Sequence, residues 1–332
     1  MPKRIIFPAK GQVALESFEP GLPGAEEISV RSLYSLMSIG TETTILHQKY
    51  DADTHFANMF SFPQLQTGVQ TVAQVEQVGS AVTEFSAGDI IYMRMGHCSH
   101  QVIAASECSP VPEGIDLKQA CWAGLAKTAF RAAWAGRFEL GQNLLIIGAG
   151  PVGQMAIRWA AAAGVEEISV VDLSELRLEH AQRGGANRLF NGSLSDCLDE
   201  VQALNGGKGP SLVVDVTGNA EVFALALAAV ARFGKVILLG DSGYPGRQCL
   251  TSDVMTKGLT VQATHDSHDR DGWDQRRIDL LFFDLVKRKK FDLSGLMTHE
   301  FSPEQCEEAY QLAGEQRERI MGVLFNWQET VC

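Results

Sequence analysis

The stretch Leu144–Asp172, LLIIGAGPVGQMAIRWAAAAGVEEISVVD, constrains this chain more than any other. Leu144 to Ile147 form a short apolar run with the β-branched content of a strand buried on both faces. Gly148, Gly150 and Gly153 follow as G-x-G-x-x-G, with Pro151 and Val152 between the second and third glycines. Helix-forming residues continue from Gln154 to Ala163, and a second apolar run, Ile168 to Val171, ends on Asp172. In such a strand–turn–helix–strand unit each glycine has its own steric task. The first permits a tight turn, the second lets backbone approach a pyrophosphate, and the third lets helix and strand pack closely. The helix N-terminus faces the phosphates, and an acid about 20 residues on accepts from ribose hydroxyls. Asp172 lies nineteen residues after Gly153. The stretch therefore predicts a dinucleotide site holding Gly148, Gly150, Pro151, Val152, Gly153 and Asp172. An aspartate at that place repels a 2′-phosphate, which favours NAD(H) over NADP(H).

The rest of the chain divides around this unit, and its 332 residues are enough for two domains. The front, to about residue 118, is β-rich. Residues 28–36, 71–78 and 90–93 read as strands, separated by turn signals such as Pro20-Gly21, Pro23-Gly24 and Gly88-Asp89. Short strands with frequent turns predict a small barrel. Residues 118–137 read as one helix leading into the core. Beyond Leu144, apolar strand-like runs at 212–216, 235–239 and 259–263 alternate with helices at 174–183, opened by a Ser174 cap, and 221–232. That alternation predicts a doubly wound parallel sheet. An amphipathic helix at 273–290, a helix at about 303–313 and a strand at 320–325 complete the chain, with no internal repeat.

A net charge of −12 argues against nucleic acid and anionic membranes as partners and leaves a small-molecule substrate. No apolar run reaches the length of a membrane span, and the basic start MPKRIIFPAK is cut short by Pro8 and Lys10, unlike a signal peptide. Seven cysteines (98, 108, 121, 197, 249, 306 and 332), an odd number without C-x-x-C, read as reduced thiols of a cytoplasmic protein.

Motifs along most of the chain carry a family likeness: Gly40-Thr41-Glu42, Val78-Gly79, Gly88-Asp89, Pro112-Glu113-Gly114, Thr128-Ala129, Gly148 to Gly153, Asp172, Arg177-Leu178-Glu179 and Lys257-Gly258-Leu259. In these the chain resembles the medium-chain dehydrogenase/reductase superfamily, the alcohol-dehydrogenase-like proteins. The resemblance implies a GroES-like (chaperonin-10-like) barrel at residues 1–121, a Rossmann NAD-binding domain at 122–264, and a segment 265–332 that returns to complete the barrel domain. The active site would then lie in the interdomain cleft. It also adds Thr128, Arg177, Thr217, Leu239, Gly240 and Val261 to the cofactor-binding set. Arg177 has a second reading, as a helix charge paired with a neighbouring acid.

The departures from the family decide the expected chemistry. Zinc members read Cys-Gly-[Ser/Thr]-Asp where this chain has Ile39-Gly40-Thr41-Glu42, and Gly-His-Glu where it has Gly68-Val69-Gln70. Ile39 and Val69 have no lone pair to give zinc, and one thiol near Cys121 cannot make a three-ligand site. The four-cysteine structural zinc lobe is also missing. The resemblance is thus to a zinc-lacking branch, with no metal ligands assigned.

Without a metal, protein donors must stabilise the charge that hydride transfer leaves on oxygen. Thr41 matches the family's hydroxyl relay, which makes it the first candidate to touch the substrate oxygen; the other reading is a strand-end hydroxyl satisfied by backbone. Glu42 matches the acid behind the metal and has two readings: a carboxyl whose pKa rises toward that of a general acid because no cation is nearby, and, preferred, a paired structural carboxylate. His97 completes the catalytic set; His100, His47 and His55 are lesser candidates. His265 and His268, with Asp266 and Asp269, read as a hinge or cap in preference to a metal site. Lys127 reads as a solvated helix residue. The expected function is a zinc-independent NAD(H)-dependent oxidoreductase of an alcohol, sugar- or polyol-like, and its carbonyl. An NAD(P)H quinone or enoyl reductase and a non-catalytic dinucleotide-binding sensor or scaffold are the alternatives. Residues 259–263 match an edge that relatives pair in a dimer, so a homodimer or tetramer is expected.

Overall fold

In a computed structural model the structure describes residues 1–60 and 62–328; Cys332 lies outside them. Six strands, all parallel, form one sheet in the order Arg188–Asn191, Glu167–Asp172, Asn143–Ile147, Leu212–Asp215, Lys235–Leu238, Thr260–Ala263. The period-2 alternation of side chains explains why these runs are apolar throughout. Leu144, Ile146, Val214 and Ile237 face a core shared with the helices Ala123–Gly136 and Pro151–Ala163. Leu145, Ile147, Val213 and Val236 face Phe223 and Leu227 of the helix Ala220–Ala229 on the other side. Both faces are covered, so the sheet is the doubly wound Rossmann type.

The second domain is mixed β. A seven-stranded sheet runs Met297–Phe301, Gly322–Asn326, Glu27–Leu36, Thr71–Val78, Ile90–Met93, Cys108–Pro110, with His100–Ala104 also paired to Glu27–Leu36. Gly322–Asn326 is antiparallel to Glu27–Leu36, with Leu324 opposite Leu36, so the returning segment joins the sheet of the front half. A small sheet of Ala14–Ser17, Lys3–Phe7 and Leu65–Gln66 lies beside it. Among the described residues no helix is long and apolar enough to cross a membrane.

Two local expectations are corrected. Residues 118–137 are not one helix: Leu117–Ala120 and Ala123–Gly136 are separated at Cys121-Trp122. Asp116 caps the first piece through the N–H groups of Lys118 and Gln119, and Trp122, 1% exposed, locks the break by packing into the core. Gly40-Thr41-Glu42 do not end a strand but lie in the helix Ile39–Leu46. Glu42 reaches back to accept from the Ser38 N–H at 2.6 Å, satisfying a donor that the helix start would otherwise orphan.

Candidate active site

The strand order reverses between Asn143–Ile147 and Leu212–Asp215, and ligands of such sheets lie outside the carboxyl ends of the strands at that point. The glycine loop sits there. Gly148 has φ +94°, and a Cβ on Gly153 would stand 2.0 Å from the Gly148 carbonyl oxygen, so only glycine lets the helix approach. Gly150 is the N-cap of Pro151–Ala163 and Pro151 its first residue, which aims the positive helix end outward over the loop.

Asp172 ends the next strand at 8% exposure. Its Oδ2 accepts from the Ala149 N–H at 2.7 Å and its Oδ1 from Ser174 N–H at 2.8 Å. The carboxylate thus braces the glycine loop and keeps lone pairs for a further donor. Arg177 joins it: Nη1 lies 3.9 Å from Asp172 Oδ2 and 3.8 Å from where a Gly150 Cβ would be. Its guanidinium also donates to the Arg317 carbonyl, and Ser174 Oγ donates to the Glu318 carbonyl at 2.6 Å. Segment 317–318 of the returning chain therefore lies beside the adenosine half of the cradle. These residues fit a dinucleotide.

The other expected cofactor residues are distributed unevenly. Thr217 and Gly240 do stand at the carboxyl edge, where a Gly240 Cβ would press within 2.4 Å of the Val216 backbone. The Thr217 hydroxyl, however, donates to Asp215 Oδ1 at 2.7 Å and serves the turn. Leu239 is buried in the core. Val261 is displaced from the edge: it pairs with Val236 in mid-strand and packs against the cluster beneath, because the ladder register places Thr264 to Asp266 at the strand's open end instead.

Glu42 and His97 come together, but inside the barrel domain and out of solvent, at 2% and 0% exposure. Glu42 Oε2 accepts from Thr67 Oγ1 at 2.8 Å and from the Tyr310 hydroxyl, and lies 3.2 Å from His97 Nε2. His97 Nδ1 lies 2.7 Å from Ser35 Oγ, which accepts from Trp327 Nε1 at 2.8 Å. One proton arrangement satisfies every member: Trp327 donates to Ser35, Ser35 to His97 Nδ1, and His97 Nε2–H to Glu42. Burial raises the Glu42 pKa, but the electrostatic attraction of the His97 ring and the hydrogen bonds donated by His97, Tyr310 and Ser38 together outweigh it and hold the carboxyl below its ordinary value. The raised-pKa reading is thus overturned and Glu42 is a paired structural carboxylate, because these donors converge on the group. Thr41 is exposed on the first turn of its helix and apart from this network.

Where zinc members hold their metal, the donors here are different in kind. Ile39 packs among Met37, Ile45 and Leu46. Cys121 is fully buried, its thiol directed at the Leu117 and Tyr34 carbonyls and its pKa pushed well up by desolvation, outside any ligand set. Gln70, beside Val69, converges instead with Arg94 and Tyr92 on Gly124. A Cβ there would meet Tyr92 Oη at 2.4 Å, Gln70 Oε1 at 3.0 Å and Arg94 Nη1 at 3.1 Å. These residues do not fit a three-ligand catalytic zinc.

What they build is a cationic cluster. Arg94 faces Asp266 with both Nη atoms, at 3.3 and 3.1 Å. Lys127 Nζ lies 3.4 Å from Asp266 Oδ2, and Thr128 Oγ1 lies 3.2 Å from Oδ1. Lys127 is 5% exposed rather than solvated, and burial lowers its pKa from the ordinary lysine value. Tyr92 Oη and Gln70 Nε2, both buried, have no protein partner. Arg94 was not legible as a site residue; its one signal is a lone arginine directly after an apolar strand. The 264–271 turn spends its acids on cations, Asp266 on Arg94 and Asp269 on Arg131, while His268 Nδ1 accepts from the His265 N–H at 3.1 Å.

Residues 151–281 match the family model for zinc-binding dehydrogenases. Ile39 and Val69 lie outside that matched segment. The chain is 32% identical over 172 residues to an L-threonine 3-dehydrogenase of Bacillus subtilis, covering 52% of this chain and 48% of the relative. It therefore spans about half the length of that relative. A sorbitol dehydrogenase of the same organism is 26% identical over 239 residues, 63% of this chain and 67% of its own. An Escherichia coli structure described as an oxidoreductase/dehydrogenase of unknown specificity superposes with a TM-score of 0.86 at 19% identity, covering 98% of this chain and 99% of its own. In these matches the chain is similar to the medium-chain dehydrogenase/reductase superfamily. Its two-domain architecture, the parallel sheet plus the mixed β domain, is that of the superfamily's alcohol-dehydrogenase-like members.

Proposed function

We propose that the protein is an NAD(H)-dependent oxidoreductase that interconverts an alcohol and its carbonyl without a catalytic zinc ion. The observation that carries this reading is the Arg94–Lys127–Asp266 cluster beside Gly124 and Thr128. The glycine loop, Asp172 and Arg177 would hold a nicotinamide dinucleotide, which when bound would supply or accept the hydride. The protein's own residues then manage the oxygen. Arg94, half-exposed and oriented by its forked contact with Asp266, places fixed positive charge where the alkoxide develops. Lys127, whose proton is loosened by burial, donates to that oxygen during reduction and recovers the proton during oxidation. Gln70 and Tyr92 hold the pocket's polar wall. Glu42, His97 and Tyr310 form the rigid backing of the barrel helix and do not touch substrate.

Asp172 supports NAD(H) over NADP(H) by charge, although Arg177 lies beside it. A polyol or sugar-like alcohol is the preferred substrate class, in keeping with the sorbitol and threonine dehydrogenases among the relatives. The edge of Thr260–Ala263, without a second neighbour among the described residues at the end of the six-stranded sheet, supports a dimer in which that sheet continues across a twofold axis. The reading is tested by steady-state rates with NADH and NADPH against aldehydes, ketoses, quinones and enones. Turnover confined to the carbonyls and faster with NADH is expected. Turnover on quinones or enones alone, or tight NADH binding without turnover, overturns it.

A further inference from the structure

Three side chains that this chemistry leaves unused meet at the mouth of the cleft. His55 begins the short helix His55–Met59 of the barrel domain. Asp241 follows Gly240 beyond the strand Lys235–Leu238, and His265 follows the strand Thr260–Ala263. One ligand atom from each lies within 4.8 Å of those of the others, and His55 Nε2 stands 2.9 Å from Asp241 Oδ2. The His55 and His265 rings meet edge to face with centroids 5.7 Å apart. Among the described residues this is the one such group of histidine, cysteine and carboxylate side chains.

The backbone fixes all three. The Asp51 N–H donates to the Gly243 carbonyl at 2.8 Å, and a Gly243 Cβ would collide with the Lys49 carbonyl at 2.0 Å, so the loop before His55 is pressed against the turn after Asp241. Gly218, at φ +64°, would carry a Cβ 2.6 Å from the Asp241 carbonyl, which pins that turn from the other side. His55 packs on Phe56 at 4.4 Å between ring centroids. The His265 ring is held by Ser267 Oγ, 2.7 Å from Nδ1.

We propose that His55, Asp241 and His265 form a binding site for a divalent transition-metal ion of the zinc class, bridging the two domains at the cleft rim. Two imidazoles and a carboxylate are donors of borderline softness that suit Zn²⁺, Co²⁺ or Ni²⁺, whereas Mg²⁺ and Ca²⁺ want oxygen ligands throughout. Tetrahedral ligands at about 2.0–2.2 Å from zinc stand roughly 3.3 Å apart, so small side-chain rotations close the present spacing. Three protein ligands leave a fourth position open toward the cleft, the arrangement of sites that exchange water or a substrate oxygen. His55 and Asp241 already pair directly in the metal-free form. The ion ties the barrel's helix to two strand ends of the sheet and so favours the closed cleft. This site lies on other residues than the family's zinc position at Ile39 and Val69.

The test titrates the chelator-stripped, full-length protein with Co²⁺ and, by calorimetry, with Zn²⁺. Saturation at one ion per chain is expected, with the visible absorption of tetrahedral cobalt and a zinc-dependent rise in melting temperature. His55→Gln, Asp241→Asn and His265→Ala should each weaken binding by about tenfold or more and abolish the rise, while His268→Ala leaves both intact. All three ligands are exposed, so unchanged metal-free melting of the variants confirms that they fold. Absence of saturable binding, or binding that survives all three substitutions, overturns the site. Loss of turnover in the stripped protein bears on the zinc-independent reading instead and leaves this binding result standing.

Discussion

Substituting Glu42→Gln separates a structural carboxylate from a catalytic one. The group is 2% exposed and takes four donors: Ser38 N–H, Thr67, Tyr310 and His97. Three of them share Oε2. An amide has a single oxygen, so whichever way it is turned, its NH₂ faces donors it cannot satisfy. Each buried donor left unpaired costs about 1–3 kcal/mol, and the lost hydrogen bonds were charge-assisted. The minimal misfit, one stranded N–H plus loss of charge, gives about 3 kcal/mol. Urea unfolding at pH 7 reads this as a lower midpoint at unchanged slope. The folded variant keeps turnover within about threefold of the parent, because a general acid contributes about 100-fold or more and Glu42 is not one here. The pH dependence has a defined sign. The folded pKa is lowered, so the stabilisation is complete above the ordinary value of 4.5 and fades as pH drops through the folded value. The gap between parent and variant therefore closes in acid. A variant as stable as the parent but lacking turnover would refute the structural assignment.

Other outcomes follow from the same geometry. Burial pushes the Asp279 carboxyl from 3.8 up to about 7, so the folded state binds that proton more tightly than the unfolded one. The resulting penalty is absent below pH 3.8, grows up to about 7 and is then constant, at most about 4 kcal/mol. Asp279→Asn should flatten the fall in melting temperature between pH 3.8 and about 7; an unchanged slope there counts against it. Gly153→Ala places a methyl 2.0 Å from the Gly148 carbonyl oxygen and should weaken NADH binding at least about tenfold by calorimetry, without loss of the barrel domain's fold. Asp172→Ser removes the charge that opposes a 2′-phosphate and should raise the NADPH-to-NADH ratio of kcat/KM; an unmoved ratio would assign selectivity elsewhere.

The parallel sheet was legible because its strands are buried on both faces and must be apolar throughout, and because the glycines of residues 148–153 answer a steric demand that no other residue meets. The edge strand Arg188–Asn191 was missed: with one neighbour and only Leu189 and Phe190 apolar, it carries too weak a pattern. Lys3–Phe7 was missed for a different reason, since its apolar run is only Ile5-Ile6-Phe7 and its partners at 14–17 and 65–66 are short. In the site, residue types could be read but not directions. Glu42 and His97 are chemistry-bearing residues whose side chains turn inward to one another. Arg94 was passed over and Lys127 read as solvated because their roles arise only when Asp266, well over a hundred residues later, folds between them. The same holds for His55, Asp241 and His265, which share no local pattern and are joined by the closing of two domains.

The claim on which the rest depends is that Arg94 and Lys127, not a metal, carry the charge of the reacting oxygen. Turnover of exhaustively chelated protein, measured beside its Arg94→Ala variant and with metal content determined on the same samples, tests it most directly. The expected result is full activity in the metal-free parent and a loss of about 100-fold or more in kcat for Arg94→Ala, the size associated with removing one transition-state donor. Activity that disappears on chelation, returns with stoichiometric zinc and is indifferent to Arg94→Ala would contradict it.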